Sequence, residues 1–136
     1  APPGAQDDKV LQLAISLRIF KQAGIPYDVA SDGVDALAAM ASRVASGARP
    51  YDVVLLDNRM PRLGGAATTR RLRAYNGVVI IGMTGDPSGS EEREAFEAAG
   101  LDACVDKTSN GYRRVRQLLS EIIVARARAP VGRRAA

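Results

Sequence analysis

Residues 51–57, Tyr-Asp-Val-Val-Leu-Leu-Asp, constrain the fold more than any other stretch of the chain. Four consecutive branched aliphatic residues form too short a run for a helix and show no polar alternation, so they predict a strand buried on both faces. A second run of this kind covers residues 78–83, and a weaker strand is expected at 102–105. Between these runs the apolar spacing changes to three and four. Val34, Leu37, Met40 and Val44 predict one helix, which Gly47 and Pro50 break. Further helices are predicted over 66–74, over 90–99 with Gly100 at the end, and over 110–126, where Tyr112, Val115, Leu119, Ile122 and Ile123 share an inner face. Strands alternating with helices imply an α/β fold, a parallel sheet with helices on both faces.

The beginning of the chain reads differently. Over residues 9–23, Val10, Leu13, Leu17 and Phe20 recur at helical spacing with Leu11, Ile15 and Ile19 beside them, which predicts a well-buried helix. Asp7 or Asp8 stands where its N-cap would fall, and Ala23-Gly24 closes it. Residues 27–30 form a short segment before the turn Ser31-Asp32-Gly33.

Composition narrows the chemistry. With no His and a single Cys, Cys104, zinc sites and His-dependent hydrolysis are excluded, and no internal disulfide can form. A cytoplasmic chain is expected, with no transmembrane segment and no membrane contact, since no apolar run approaches the ~20 residues needed to span a bilayer. The chain does not begin with Met, and its opening residues have neither the charge nor the apolar stretch of a signal peptide, so a piece of a larger protein is expected. The net charge of +4 is unevenly placed: seven Arg and one Glu lie from Arg113 onward, leaving the remainder slightly acidic. The expected organisation is one domain over residues 1–126 and a basic, disordered tail over 127–136. No aromatic residue in the tail could stack on bases, so no nucleic acid partner is expected.

Ligands of open parallel sheets bind outside the carboxyl ends of the strands. Those ends are chemically marked here. Asp57 closes the first buried strand, Thr84 the second and Lys107 the last, while Asp7-Asp8 precedes the first helix. Carboxylates on one rim suit Mg²⁺, which takes oxygen ligands and keeps several waters. A carboxylate left partly free can attack phosphorus while a hydroxyl and an ammonium absorb charge on the equatorial oxygens. Asp57 carries this reading best, because an acid after four apolar residues, followed by Met60-Pro61 and a Gly pair, has little structural use.

These residues, in this order and spacing, resemble the receiver domain of two-component response regulators over nearly the whole chain. The resemblance runs through Asp7-Asp8, Ala30-Ser31-Asp32-Gly33, Asp57-Asn58-Arg59-Met60-Pro61 with Gly65, Met83-Thr84-Gly85, Ala99-Gly100 and Lys107. The phrases around Asp57 and Thr84 look most like receivers fused to hybrid sensor histidine kinases. The resemblance implies a flavodoxin-like, doubly wound sheet and a signalling domain that catalyses only its own phosphorylation and dephosphorylation. It implies Asp57 as phosphoacceptor, Thr84 as switch hydroxyl and Lys107 as partner of the phosphoryl group. Asp7, Asp8, Asp57 and the Asn58 carbonyl would hold Mg²⁺. The implied partner is a histidine kinase or a histidine phosphotransfer protein, and a homodimer is an assembly open to such a domain.

The chain departs from the pattern in four places. Thr108 follows Lys107 where the family has Pro, Asp106 precedes it where a hydrophobic residue is usual, and Cys104 stands where an aromatic is common. Residues 1–6, rich in Pro, Gly and Ala, cannot form the apolar first strand that runs into the acid pair, so the central strand is expected to be vestigial or missing. Two functions follow: a phosphoacceptor in a phosphorelay, or a phosphorylation-independent interaction module. A phosphatase of the aspartyl-phosphate type would want an acid two residues after the nucleophile, where Arg59 stands. Arg59 and Asp86, each two residues beyond a rim residue, flank by resemblance the entrance used by a hydrolytic water, and either pair across it or stand as two independently solvated side chains.

Overall fold

The computed structural model describes residues 10–13 and 27–128. Five strands form one parallel sheet: β1 Val10–Leu13, β2 Tyr27–Ala30, β3 Val53–Asp57, β4 Val79–Thr84 and β5 Ala103–Asp106. Their spatial order is β2-β1-β3-β4-β5. Among the described residues the helices are α1 Gly33–Ala45, α2 Gly65–Leu72, α3 Glu91–Ala98 and α4 Ser109–Arg128. This is the flavodoxin-like doubly wound arrangement, in which the strand order reverses between β1 and β3 and opens a crevice at their carboxyl ends.

The period of two along the buried strands sorts the core into two layers. Val54 and Leu56 of β3 and Ile80 of β4 pack with Ala36 and Met40 of α1, Leu72 of α2 and Phe96 of α3. Val53 and Leu55, with Ile81 and Met83, face Val105, Val115 and Leu119 on the side of α4. Both faces are apolar, which is why β3 shows no alternation in sequence. On the first side, the Phe96 ring lies against two glycines. A Cβ on Gly82 would stand 2.6 Å from that ring, and one on Gly65 would stand 2.6 Å from it and 2.8 Å from the Asp57 carbonyl oxygen. The absence of side chains there lets α2 and α3 settle directly over the end of β3.

Residues 10–13 correct the helix expected over 9–23, because they form β1 in the centre of the sheet. Val10 pairs with Tyr27 on one side and Val53 on the other, and Gln12 with Val29 and Leu55. The central strand is therefore short, four residues, and is drawn from 10–13. A strand enclosed by neighbours gains ladder hydrogen bonds on both edges, and over four residues that outweighs a helical spacing no stronger than this one. The expectations placed on residues 1–9 and 14–26 lie outside the described residues. At the other end, α4 runs through Arg128, two residues into the stretch expected to be a disordered tail. Residues 129–136 lie outside the described part. Among the described residues, no helix is long and apolar enough to cross a membrane.

Candidate functional site

Asp57 is the last residue of β3, 7% exposed, and its backbone is fixed by pairing with β4 in the register Asp57↔Met83. Its two carboxylate oxygens are engaged differently. Oδ2 accepts from the Lys107 ammonium at 2.6 Å, and Oδ1 from the Arg59 amide at 3.3 Å. Lys107 follows β5, and its amide donates to the Thr84 carbonyl at 3.0 Å, so the last two strands set where its side chain starts. Asp57, Thr84 and Lys107 thus stand on one rim, with an ammonium on the carboxylate.

Thr84 ends β4 and is 1% exposed. Its hydroxyl donates to Asp86 Oδ2 at 3.1 Å and accepts from the Asp86 amide at 3.0 Å, a closed local turn. The same carboxylate accepts from Asn58 Nδ2 at 3.3 Å and from Arg59 Nη2 at 2.7 Å. The Arg59–Asp86 pair therefore forms across the two loops. Arg59 holds the Asp86 carboxyl below its ordinary value, with Asn58 and Thr84 adding to the effect against the opposing cost of burial. Asp86 is the hub of this rim, bonded to three of its residues.

The Asn58 carbonyl has a structural bond of its own. It accepts from the Gly65 amide at 2.9 Å, which closes the loop between β3 and α2. Its main-chain oxygen keeps a second lone pair beyond that bond. Asp7 and Asp8 lie outside the described residues. Among the described residues there is no group of three or more Cys, Asp or Glu side chains able to hold a metal ion. Asp57 does offer the hard oxygen donor that Mg²⁺ takes, an ion satisfied by one or two carboxylates and retained waters.

Two polar clusters escaped the sequence reading. Asp32, read as a turn residue, caps α1 by accepting the Asp35 amide at 3.0 Å, and its buried carboxylate is gripped by Arg62 from the β3–α2 loop. Arg62 holds the Asp32 carboxyl below its ordinary value. Arg93 of α3 is buried and bonds the Asp106 carboxylate. A signal for it exists in the sequence: Arg93 lies three residues before Phe96, on the face that helical spacing turns inward. Cys104 is half-buried on β5, and burial raises its thiol above the ordinary value, as suits a packing residue.

With this geometry in view, the comparisons with known proteins agree. The response regulator receiver domain family model matches residues 5–120, and the chain belongs to that family. A two-component response regulator of Arabidopsis thaliana is 33% identical over 102 residues, which cover 74% of this chain and 69% of that protein. The autoinducer 2 sensor kinase/phosphatase of Vibrio harveyi is 35% identical over 92 residues, 65% of this chain and 10% of the kinase. The chain thus spans most of the one and a tenth of the other. Among solved structures, the receiver domain of a Pseudomonas aeruginosa sensor histidine kinase, with magnesium in its active-site cleft, superposes with a TM-score of 0.68 at 25% identity. That superposition covers 85% of this chain and 97% of the other. The receiver domain of a Syntrophus aciditrophicus histidine kinase shares the fold, with a TM-score of 0.69 at 19% identity over 91% of this chain and 96% of that one.

Proposed function

We propose that this receiver domain is a phosphoacceptor in a phosphorelay, taking a phosphoryl group onto Asp57 from a phosphohistidine of a histidine kinase or a histidine phosphotransfer protein. The observation that carries the reading is the Lys107 ammonium 2.6 Å from the Asp57 carboxylate at the carboxyl end of the sheet, with Thr84 on the adjoining strand. The donor imidazole must come from another domain, because this chain has no His. A carboxylate oxygen of Asp57 forms a bond to phosphorus as the N–P bond of the donor breaks and the imidazole takes up a proton. Lys107 then meets charge on the phosphoryl oxygens that it meets on Asp57 beforehand. Thr84 must exchange its acceptor from Asp86 to a phosphoryl oxygen, and Asn58 and Arg59 keep Asp86 in place as it does so. Water attacking phosphorus releases phosphate and restores the carboxylate.

Mg²⁺ would be held by Asp57 together with Asp7 and Asp8, and it would supply charge neutralisation at the phosphoryl oxygens. The relatives that are kinases support a place beside a histidine kinase, as does the magnesium bound by the Pseudomonas aeruginosa receiver. A second reading, an interaction module that docks without phosphorylation, is favoured by one observation: the central strand β1 is only four residues long. One experiment separates the two. The full chain is incubated with acetyl phosphate and Mg²⁺ and analysed by intact mass and peptide mapping. One phosphoryl group on Asp57, lost in Asp57→Asn and diminished in Asp7→Asn/Asp8→Asn, is the expected result. An unmodified chain would leave the interaction module.

A further inference from the structure

Lys107 is the part of the site whose placement the strand alone does not explain. It follows an edge strand, and the Pro that clamps this loop elsewhere in the family is Thr108 here. Two contacts take over at the residue before it. The start of α4 passes so close to the Asp106 carbonyl that a Cβ on Gly111 would lie 1.6 Å from its oxygen, and Thr108 caps that helix by accepting the Gly111 amide at 3.1 Å. The Asp106 carboxylate is bonded by Nη1 of Arg93.

Arg93 is unusual for a helix residue of a small domain, with a side chain only 9% exposed. A guanidinium so placed is costly unless its donors are met. The same Nη1 also donates to the Asp86 carbonyl at 3.3 Å, while the buried Nε makes no hydrogen bond and has only the Glu97 carboxylate 3.6 Å away, on the next turn. One side chain therefore joins α3 to both loops that carry the rim: the loop after β4, through the residue that holds the Thr84 hydroxyl, and the end of β5, through the residue that precedes Lys107. Asp106 in turn pairs in register with Thr84.

We propose that Arg93 is a positioning residue, which through Asp106 and the Asp86 carbonyl sets the Lys107 ammonium on Asp57. The inference rests on the phosphoacceptor reading for its effect on rate, though not for its effect on Lys107 itself. Without Arg93, Asp106 is a mostly exposed carboxylate one residue from Lys107 and free to compete for its ammonium. The consequence is a slower phosphoryl transfer at saturating donor, with little change in the donor concentration needed to reach half that rate.

The test uses the full chain with acetyl phosphate and Mg²⁺, comparing the parent with Arg93→Ala, Arg93→Lys, Asp106→Asn and Lys107→Ala. Arg93→Ala should lower the saturating rate on the order of tenfold, within the ~10²-fold that misplacing a catalytic group can cost. Arg93→Lys should recover part of it. The double variant Arg93→Ala/Lys107→Ala should be no slower than Lys107→Ala alone, because both changes remove the same contact. If the two effects instead multiply, Arg93 acts only on the fold and the proposal fails. A second readout needs no phosphorylation: acetic anhydride labelling of Lys107, followed by mass spectrometry, should be slow in the parent, several-fold faster in Arg93→Ala and intermediate in Arg93→Lys. Equal labelling in folded parent and variants overturns the proposal. Faster labelling in a chain that acetyl phosphate leaves unmodified would uphold the positioning and remove the phosphoacceptor reading.

Discussion

β3 and β5 bring opposite charges to one rim by different physical means. β3 is buried at every residue and has neighbours on both sides, so apolar side chains entering two cores fix the backbone at Asp57. β5 is an edge strand on which Ala103 and Cys104 are half-buried and Val105 alone is fully in the core. Its charged product, Lys107, is held instead by polar and steric clamps on Asp106. The acceptor is thus placed by packing and the cation by hydrogen bonds. Packing of that density has few alternative arrangements, whereas a hydrogen-bonded loop can exchange partners at modest cost. On the proposed function, the half of the site that would respond to a phosphoryl group lies on the side able to rearrange.

The comparison can be broken most severely at its chemical end. Asp57→Asn should abolish phosphorylation altogether while the chain still unfolds cooperatively, since the amide keeps the shape of the side chain and β3 is held by its neighbours. Loss of the fold in this variant, seen by circular dichroism, would mean that the Asp57–Lys107 pair supports the sheet and that packing alone does not. Leu55→Ala and Cys104→Ala sharpen the contrast between centre and edge. Leu55 is fully buried, so its truncation should cost about 2 to 5 kcal/mol in urea unfolding. The half-buried Cys104 should cost less than about 1 kcal/mol. Equal losses would erase the distinction between the two strands.

Smaller effects are expected where the two loops meet in front of the rim. Arg59→Ala and Asp86→Ala should speed loss of the aspartyl phosphate by no more than about fivefold, as befits an exposed ion pair standing in the path of water. Unchanged rates in both would remove the gate and leave the acceptor untouched. The smallest effect is on a titration. The Asp86 carboxyl lies below its ordinary value of 3.8, first because of Arg59. A depressed carboxyl contributes stability that is fully present above its unfolded pKa and is lost as pH falls through the folded one. The pair is therefore intact at neutral pH and fails only in strong acid. In a carboxyl-detected NMR titration the Asp86 midpoint should lie below 3.8 and rise in Arg59→Ala; an unmoved midpoint would assign the shift to Asn58 and Thr84.

How much of this was legible depended on whether a residue was marked by its neighbours in sequence or in space. Asp57 and Thr84 end strands and Lys107 directly follows one, and the apolar runs before the first two announce them. Residues 10–13 misled because Val10, Leu11 and Leu13 satisfy a buried helix and a buried strand equally, and only the neighbours at Tyr27 and Val53 decide. The bond from the Gly65 amide to the Asn58 carbonyl depends on a loop closure that no local pattern encodes. Arg93 was overlooked since an Arg on a short, charged helix reads as solvated, and its acceptors are 7 and 13 residues away. Asp86 was read as half of an ion pair; its bond to Thr84 was legible from a spacing of two, which is that of a local turn.

The Phe96 ring between Gly65 and Gly82 bears on how the domain tolerates change. In a library of all single substitutions, those two glycines should be depleted almost as strongly as Asp57, although neither offers a group to a phosphoryl. The depletion would be steric, since any side chain there must displace the ring or the Asp57 carbonyl. It should therefore be conditional at Gly82, where the ring and the Leu101 side chain occupy the space: in a background carrying Phe96→Leu, Gly82→Ala regains room, while Asp57 stays irreplaceable. A drifting sequence would then be free to exchange a large and a small residue across that contact, and the identities of positions 82 and 96 would move together while the rim kept its chemistry.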